Sequence, residues 1–317
     1  MTVIIILTLP NIMIIFIGVY YSVNNVMAEQ VLPPLRSKLY GGAWSIHDNE
    51  SIDFLKNIQN KPGNKKKFIQ EYKEWMSSDN EFYGLKKYKQ IDFSAGTTES
   101  FNMFYFRHLE KRLRIYKGEY FYHHLMARNY FRKFEFLENS PIQYNDVVVM
   151  SCPFSNTGNL PENFYGILQQ CDKLKVPVLL DLAYINVSNI KHLDLSYKCI
   201  QTITTSLSKV FPVEHYRIGI RLERELYDDT LVAYNQNDYV NLYSINIGHE
   251  LIRKFHNKWL YTKYQDKQAD ECKKLGLDIS ECVIFGLDKN EKYPEYKRGT
   301  KINRLCFSRK WDKRVYA

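Results

Sequence analysis

Lys209 ends the β-rich run Thr205-Ser206-Leu207-Ser208-Lys209, and Arg217-Ile218-Gly219 begins eight residues later. Upstream, the apolar stretch Val176-Pro177-Val178-Leu179-Leu180 ends in Asp181, with Tyr184 three positions further on. A lysine amine can form a Schiff base with an aldehyde, and an aspartate can pair with a protonated pyridine nitrogen. Tyr184 can donate to a phenolic oxygen, while Ser206 and Arg217 offer a hydroxyl and a forked cation to a phosphate dianion. Together these are the groups needed to hold pyridoxal phosphate (PLP), with Lys209 as the residue that bonds to it.

Groups so far apart in sequence need a scaffold that brings them together. Ile91-Asp92-Phe93 reads as a short strand opening onto Gly96 and Thr97, followed by a helix expected over 99–114. Free N–H groups and the dipole at such a helix start favour phosphate. Asp146-Val147-Val148-Val149-Met150-Ser151 is β-branched and continuous, as in a strand buried on both faces, and it leads into the turn containing Asn156. A helix over 161–174 connects it to the strand ending at Asp181, and a further strand over 199–205 precedes Lys209. Strands alternating with helices imply an α/β fold with a mostly parallel sheet, in which ligands sit beyond the carboxyl ends of the strands. Gly96, Asn156, Asp181 and Lys209 all fall at such ends. The remainder predicts a long amphipathic helix over 239–274 and a late strand over 302–307. The expected division is an apolar segment 1–28, a large cofactor-binding domain 29–221 and a reduced α+β small domain 222–317.

Ser206-Leu207-Ser208-Lys209 followed by Arg217 resembles the lysine signature of the class I/II aminotransferases, which are fold-type I PLP-dependent enzymes. The order of motifs supports the likeness: a Gly-Thr turn, an Asn-Thr-Gly turn, Asp-x-x-Tyr, Ser-x-x-Lys, then Arg. Pro212 and His215 depart from the pattern, which has small residues there, and Ser155 stands in the column of the family's asparagine unless the loop shifts by one to Asn156.

The resemblance implies a transfer of an amino group between an amino acid and a 2-oxo acid, by a homodimer. Lys209, Asp181 and Tyr184 would carry the chemistry. Gly96, Thr97, Ser206 and Arg217 would hold the phosphate, Asn156 the phenolic oxygen, and Tyr120 would stack on the ring. Arg304 would clamp the substrate carboxylate. Other PLP reactions on the same scaffold (lyase, decarboxylase or racemase) remain open, as does a non-catalytic binding protein.

The net charge of +9 suits an anionic ligand, but the basic residues are scattered apart from Lys65-Lys66-Lys67, so nucleic acid is not expected. Six cysteines show no CxxC pairing and no ligand-like spacing with histidine, which implies reduced thiols and no metal site. The nearly continuous apolar run 3–21 admits three readings: a secretory leader with small residues at Val26 and Ala28, a membrane anchor, or an extension upstream of an alternative start at Met27. An extension or an anchor is favoured. The expectation is a cytoplasmic protein, with a tether through residues 3–21 kept open.

Overall fold

The computed structural model describes residues 2–9, 12–19 and 38–312. At the start, β1 (Thr2–Leu9) and β2 (Ile12–Val19) pair antiparallel. Among the described residues no helix is long and apolar enough to cross a membrane. Val26, Met27 and Ala28, on which the leader and alternative-start readings turn, lie outside the described residues.

A seven-stranded sheet forms the centre. In chain order come β3 (Glu81–Tyr83), β4 (Gln90–Ser94), β5 (Arg112–Ile115), β6 (Lys133–Phe136), β7 (Asp146–Ser151) and β8 (Val178–Asp181). After them come β9 (His192–Asp194), β10 (Ile200–Ser206) and β11 (Gly219–Glu223). The spatial order is β4-β11-β10-β8-β7-β5-β6, while β3 and β9 form a separate parallel pair. Neighbours from β10 to β6 run parallel, and β11 runs antiparallel to both β10 and β4. This is the mostly parallel α/β sheet that the sequence predicts.

Alternation along the strands explains why both faces are covered. Leu113, Ile115, Val147, Val149 and Leu179 project to one side, into a core shared with Phe101, Phe104 and Tyr105 of the helix Thr97–Arg107. Val148, Met150, Val178 and Leu180 project to the other, against Phe164, Ile167, Leu168 and Cys171 of the helix Phe164–Leu174. Successive side chains on a strand point to opposite faces, so a strand sandwiched between helices must be apolar throughout. All six cysteines are buried as free thiols.

The helix expected over 99–114 is shorter and is followed by another element. It spans Thr97–Arg107, and Arg112–Ile115 form β5 instead. Arg112 and Arg114 hid this strand, because an inner strand is not expected to carry two arginines. Both pair with Asp146 on the neighbouring β7, at 2.6 and 2.7 Å, and Arg114 also donates to the carbonyls of Glu135, Phe136, Ser140 and Pro141. A charge inside a protein is tolerable only when paired and hydrogen-bonded.

The long helix expected over 239–274 is two helices, Leu242–Lys254 and Trp259–Leu275. Phe255 is extended at the break, and its carbonyl accepts from the Trp75 indole at 2.6 Å. Lys258 then donates to the carbonyls of Ile185, Ser188 and Ile190. Tertiary partners for freed backbone groups overrode a helical pattern that was locally continuous.

Beyond β11, the helix Leu242–Lys254 packs on the early helix Lys65–Ser77. The helix Trp259–Leu275 covers a small antiparallel sheet of β12 (Asp278–Ile279), β13 (Phe285–Asp288) and β14 (Asn303–Cys306). The boundary expected between residues 221 and 222 lies inside β11.

Candidate active site

The carboxyl ends of β4, β5, β7, β8 and β10 share one edge of the sheet, and strand register sets their side chains in a row. Ser94 lies opposite Gly219, Gly219 opposite Ser206, Thr204 opposite Asp181, and Asp181 opposite Ser151. Because β11 is antiparallel, the residues preceding it, including Arg217, arrive at this same edge.

Gly96 and Arg217 make a cradle at one end of the row. Gly96 has φ 76° and ψ 177° and caps the helix that Thr97 begins. A Cβ at Gly96 would lie 2.5 Å from Arg217 Nη2 and 2.9 Å from its Cζ, so the guanidinium rests against bare backbone. A Cβ on Gly219 would in turn meet Gly96 Cα at 3.2 Å and Ser94 Oγ at 3.2 Å. Ser206, at the end of β10, accepts from the Ser208 N–H. Among the described residues the hydroxyls of Ser94 and Ser208 are buried and unpartnered. A helix start, an arginine fork and unspent hydroxyls are groups that could hold an anion.

Lys209 follows in the single helical turn Leu207–Lys209. Its Nζ lies 5.6 Å from the Tyr184 ring centroid and donates to the Ala43 carbonyl at 2.6 Å. Burial pushes its pKa below the usual lysine range, and the charges of Cys306, Glu214, Arg304 and Asp181 also act on it. Asp181 is buried at the end of β8, where its Oδ1 accepts from the Ala183 N–H at 3.0 Å. Burial raises its pKa from 3.8 to about 7, while the Ala183 N–H and the charge of Lys209 act to lower it. A carboxylate stripped of water with so few donors holds its proton unless a cation is brought to it. Tyr184 packs edge-on to Phe285 at 5.3 Å, and its phenol is raised by burial.

Arg304, on β14, closes the site from the small sheet. It is buried, donates to the Ser155 carbonyl at 2.6 Å, lies 4.4 Å above the Phe285 ring and leaves Nε unpartnered. No carboxylate pairs with it among the described residues. The structure thus brings Lys209, Asp181, Tyr184 and Arg304 into one electrostatic neighbourhood, with the Gly96, Thr97, Ser206 and Arg217 cradle further along the same edge.

Asn156 and Tyr120 make contacts of their own. Asn156 turns its amide to Thr300 Oγ1 at 2.8 Å and the Ile302 carbonyl at 3.1 Å, leaving its buried Oδ1 unpartnered. Ser155, in the preceding position, contributes the carbonyl that holds Arg304. Tyr120 caps the helix Phe121–Asn129, with its ring 5.8 Å from that of His123. His123 is itself buried, bonded to the Tyr105 hydroxyl at 2.6 Å and lowered to about 3 by burial.

Glu119 belongs to the site and was not foreseen. Its carboxyl accepts from the N–H groups of Ser151 at 2.8 Å and Tyr120 at 3.0 Å, and from the Ser151 hydroxyl. Burial raises it from 4.5 to about 7, and its charge acts on Asp181, across the strand pair from Ser151. The available signal was a carboxylate in the turn between Gly118 and Tyr120.

No protein-family model matches the chain, and no characterised protein matches it in sequence. Solved structures do match in fold. Tyrosine aminotransferase from Leishmania infantum superposes with a TM-score of 0.62 at 11% identity, over 92% of this chain and 96% of that one. The PLP-bound C-S lyase from Staphylococcus hominis gives 0.62 at 12% identity, over 92% and 96%. L-threonine-O-3-phosphate decarboxylase from Porphyromonas gingivalis gives 0.56 at 13% identity, over 83% and 94%. The fold is therefore fold type I, the architecture of PLP-dependent aminotransferases and their lyase and decarboxylase relatives in structure.

Proposed function

We propose that this chain is a PLP-dependent aminotransferase, moving an amino group between an amino acid and a 2-oxo acid. One observation supports it above the others. Lys209 lies 5.6 Å from the Tyr184 ring and within reach of the charge of Asp181, at the same sheet edge as Gly96, Ser206 and Arg217. The residues fit the cofactor: unpartnered hydroxyls and an arginine fork suit a phosphate, and a buried, under-bonded carboxyl suits a cationic ring nitrogen. Gly96, Thr97, Ser206 and Arg217 would hold the phosphate, Asp181 the ring nitrogen, and Tyr184, with Asn156 or Ser155, the phenolic side.

When bound, PLP supplies an electron sink for negative charge developing at the substrate Cα. The protein does the rest. Burial favours the neutral form of Lys209 Nζ, so the amine is available as nucleophile and as carrier of the Cα proton. Tyr120, whose N–H donates to Glu119, would stack on the ring. Arg304 has an open Nε for the α-carboxylate, and two arms anchored by Ser155 and Gly41 carbonyls fix its orientation. Fixed orientation at Cα decides which bond lies open to cleavage, so Arg304 is also a selector of the reaction.

Borohydride reduction of the PLP-loaded chain followed by peptide mass mapping tests the assignment. A pyridoxyl group on Lys209, absent in Lys209→Ala together with the visible absorbance band, is expected. An unchanged band in that variant overturns it. The structural likeness to a C-S lyase and a decarboxylase favours a second reading, another PLP reaction on the same residues. Stoichiometric formation of pyridoxamine phosphate in a single turnover supports amino transfer, and oxo-acid or amine release without it supports the second reading. A homodimer is part of the proposal.

A further inference from the structure

Residues 40–47 run as a strap across the site, and its hold on Lys209 serves neither the phosphate cradle nor the transfer of an amino group. At one end the Tyr40 carbonyl accepts from the Cys306 N–H of β14 at 2.8 Å, and the Tyr40 ring packs edge-on to Tyr296 and Phe307. The Trp44 N–H donates to the Ser308 hydroxyl at 3.2 Å, on the same side. Between these anchors two carbonyls reach the cations of the site. Gly41 accepts from Arg304 Nη2 at 3.4 Å, and Ala43 accepts from Lys209 Nζ at 2.6 Å.

Glu214 fastens the other end. Its carboxylate accepts from the Ser45 hydroxyl and is hydrogen-bonded to His47 Nε2 at 3.2 Å, while Asp312 stands 3.3 Å from His47 Nδ1. Glu214 belongs to the loop between Lys209 and Arg217, and its own carbonyl accepts from Arg217 Nη1 at 3.3 Å. This one side chain therefore ties the strap to the loop that carries both the lysine and the cradle arginine. The tie has a chemical consequence. A carbonyl oxygen within hydrogen-bond distance favours the ammonium form of an amine, and an ammonium has no lone pair with which to attack an aldehyde carbon. Burial of Lys209 works the other way, so the strap opposes the activation that burial supplies.

Resting on the reading of Lys209 as the residue that bonds an aldehyde, we infer that Glu214 is a positioning residue that fastens the strap over the site, where the Ala43 carbonyl holds the Lys209 amine in reserve. Glu214 acts through Ser45 and His47 and takes no part in bond making. Lifting the strap frees Lys209 Nζ and Arg304 Nη2 together, and leaves Arg304 held by the Ser155 carbonyl. The amine and the carboxylate clamp thus become available in one movement.

The test reads each lysine of the full, cofactor-free chain by reductive methylation with formaldehyde and cyanoborohydride, followed by peptide mass mapping. The rate of PLP attachment is followed in parallel by absorbance. Glu214→Gln is expected to speed methylation of Lys209 by about tenfold, the contribution of a hydrogen bond to a charged group. Ser45→Ala should speed it by about fivefold, and Glu214→Asp, which keeps the carboxylate, should fall between parent and Glu214→Gln. Lys258, a buried lysine held by the carbonyls of Ile185, Ser188 and Ile190, should react at the parent's rate throughout. An unchanged or slower rate at Lys209 in a folded variant overturns the inference, and so does a rise shared equally by Lys258, which reports general loosening. Should Glu214→Gln fail to fold, Ser45→Ala decides, since it removes a single hydroxyl. Glu214-dependent methylation of Lys209 in a chain that takes up no PLP would leave the strap standing and refute the cofactor reading instead.

Discussion

Gly96→Ala is the sharpest probe of the phosphate cradle, because two separate consequences follow from one methyl group. The first is local. At φ 76° and ψ 177° the backbone occupies a region open essentially to glycine alone. An alanine there costs about 1–3 kcal/mol of stability, read from urea unfolding. The second concerns the ligand. The new Cβ would sit 2.5 Å from Arg217 Nη2, so the guanidinium must retreat by about 1 Å to reach ordinary contact. Arginine can move, so the chain should still fold. A displaced fork, however, forfeits charge-assisted bonds to a phosphate worth about 1.5–3 kcal/mol, or about 10- to 100-fold in affinity.

The assay is a titration of the cofactor-free chain with PLP and, in parallel, with pyridoxal, which lacks the phosphate. Gly96→Ala should weaken PLP and leave pyridoxal nearly unchanged. Arg217→Met should do the same, and the two changes together should fall well short of additive, since both remove one contact. Equal weakening of PLP and pyridoxal, or full additivity, would refute the cradle.

The two buried carboxyls make stability depend on pH. Glu119 keeps its proton to about 7 when folded but only to about 4.5 when unfolded, so it favours folding at low pH and that contribution disappears as pH rises through 7. Asp181 acts in the same direction, between 3.8 and about 7. Buried His123 and His124, lowered to about 3 and about 4, oppose them below about pH 6.5, so the difference between variants is the clean measurement. Relative to Glu119→Gln, the cofactor-free parent should lose about 2–3 kcal/mol between pH 5 and 8 in urea unfolding, and parallel profiles would rule out the assignment. Arg114→Leu removes a donor from each of four carbonyls and leaves Asp146 to Arg112 and the Gln143 N–H, for an expected loss of about 3–5 kcal/mol. A loss under about 1 kcal/mol would show the network to be dispensable.

Sequence alone determined the parts of this protein that rest on local pattern. Unbroken β-branched runs such as 146–151 have one good solution, a strand covered on both faces, and the turn chemistry after each run marked where ligands would sit. The meeting of Lys209, Asp181, Gly96 and Arg217 at one sheet edge was therefore legible in the sequence. Tertiary structure decided what depends on partners distant in sequence. Arg114 becomes a strand residue only because Asp146 and four carbonyls wait beside it, and the helical pattern breaks at Phe255 only because Trp75 claims its carbonyl. Glu119 became visible in the same way, through the Ser151 and Tyr120 donors that fold onto it. The chain order does not say which buried charge lacks a counter-ion, since charge balance is a property of the space that folding encloses.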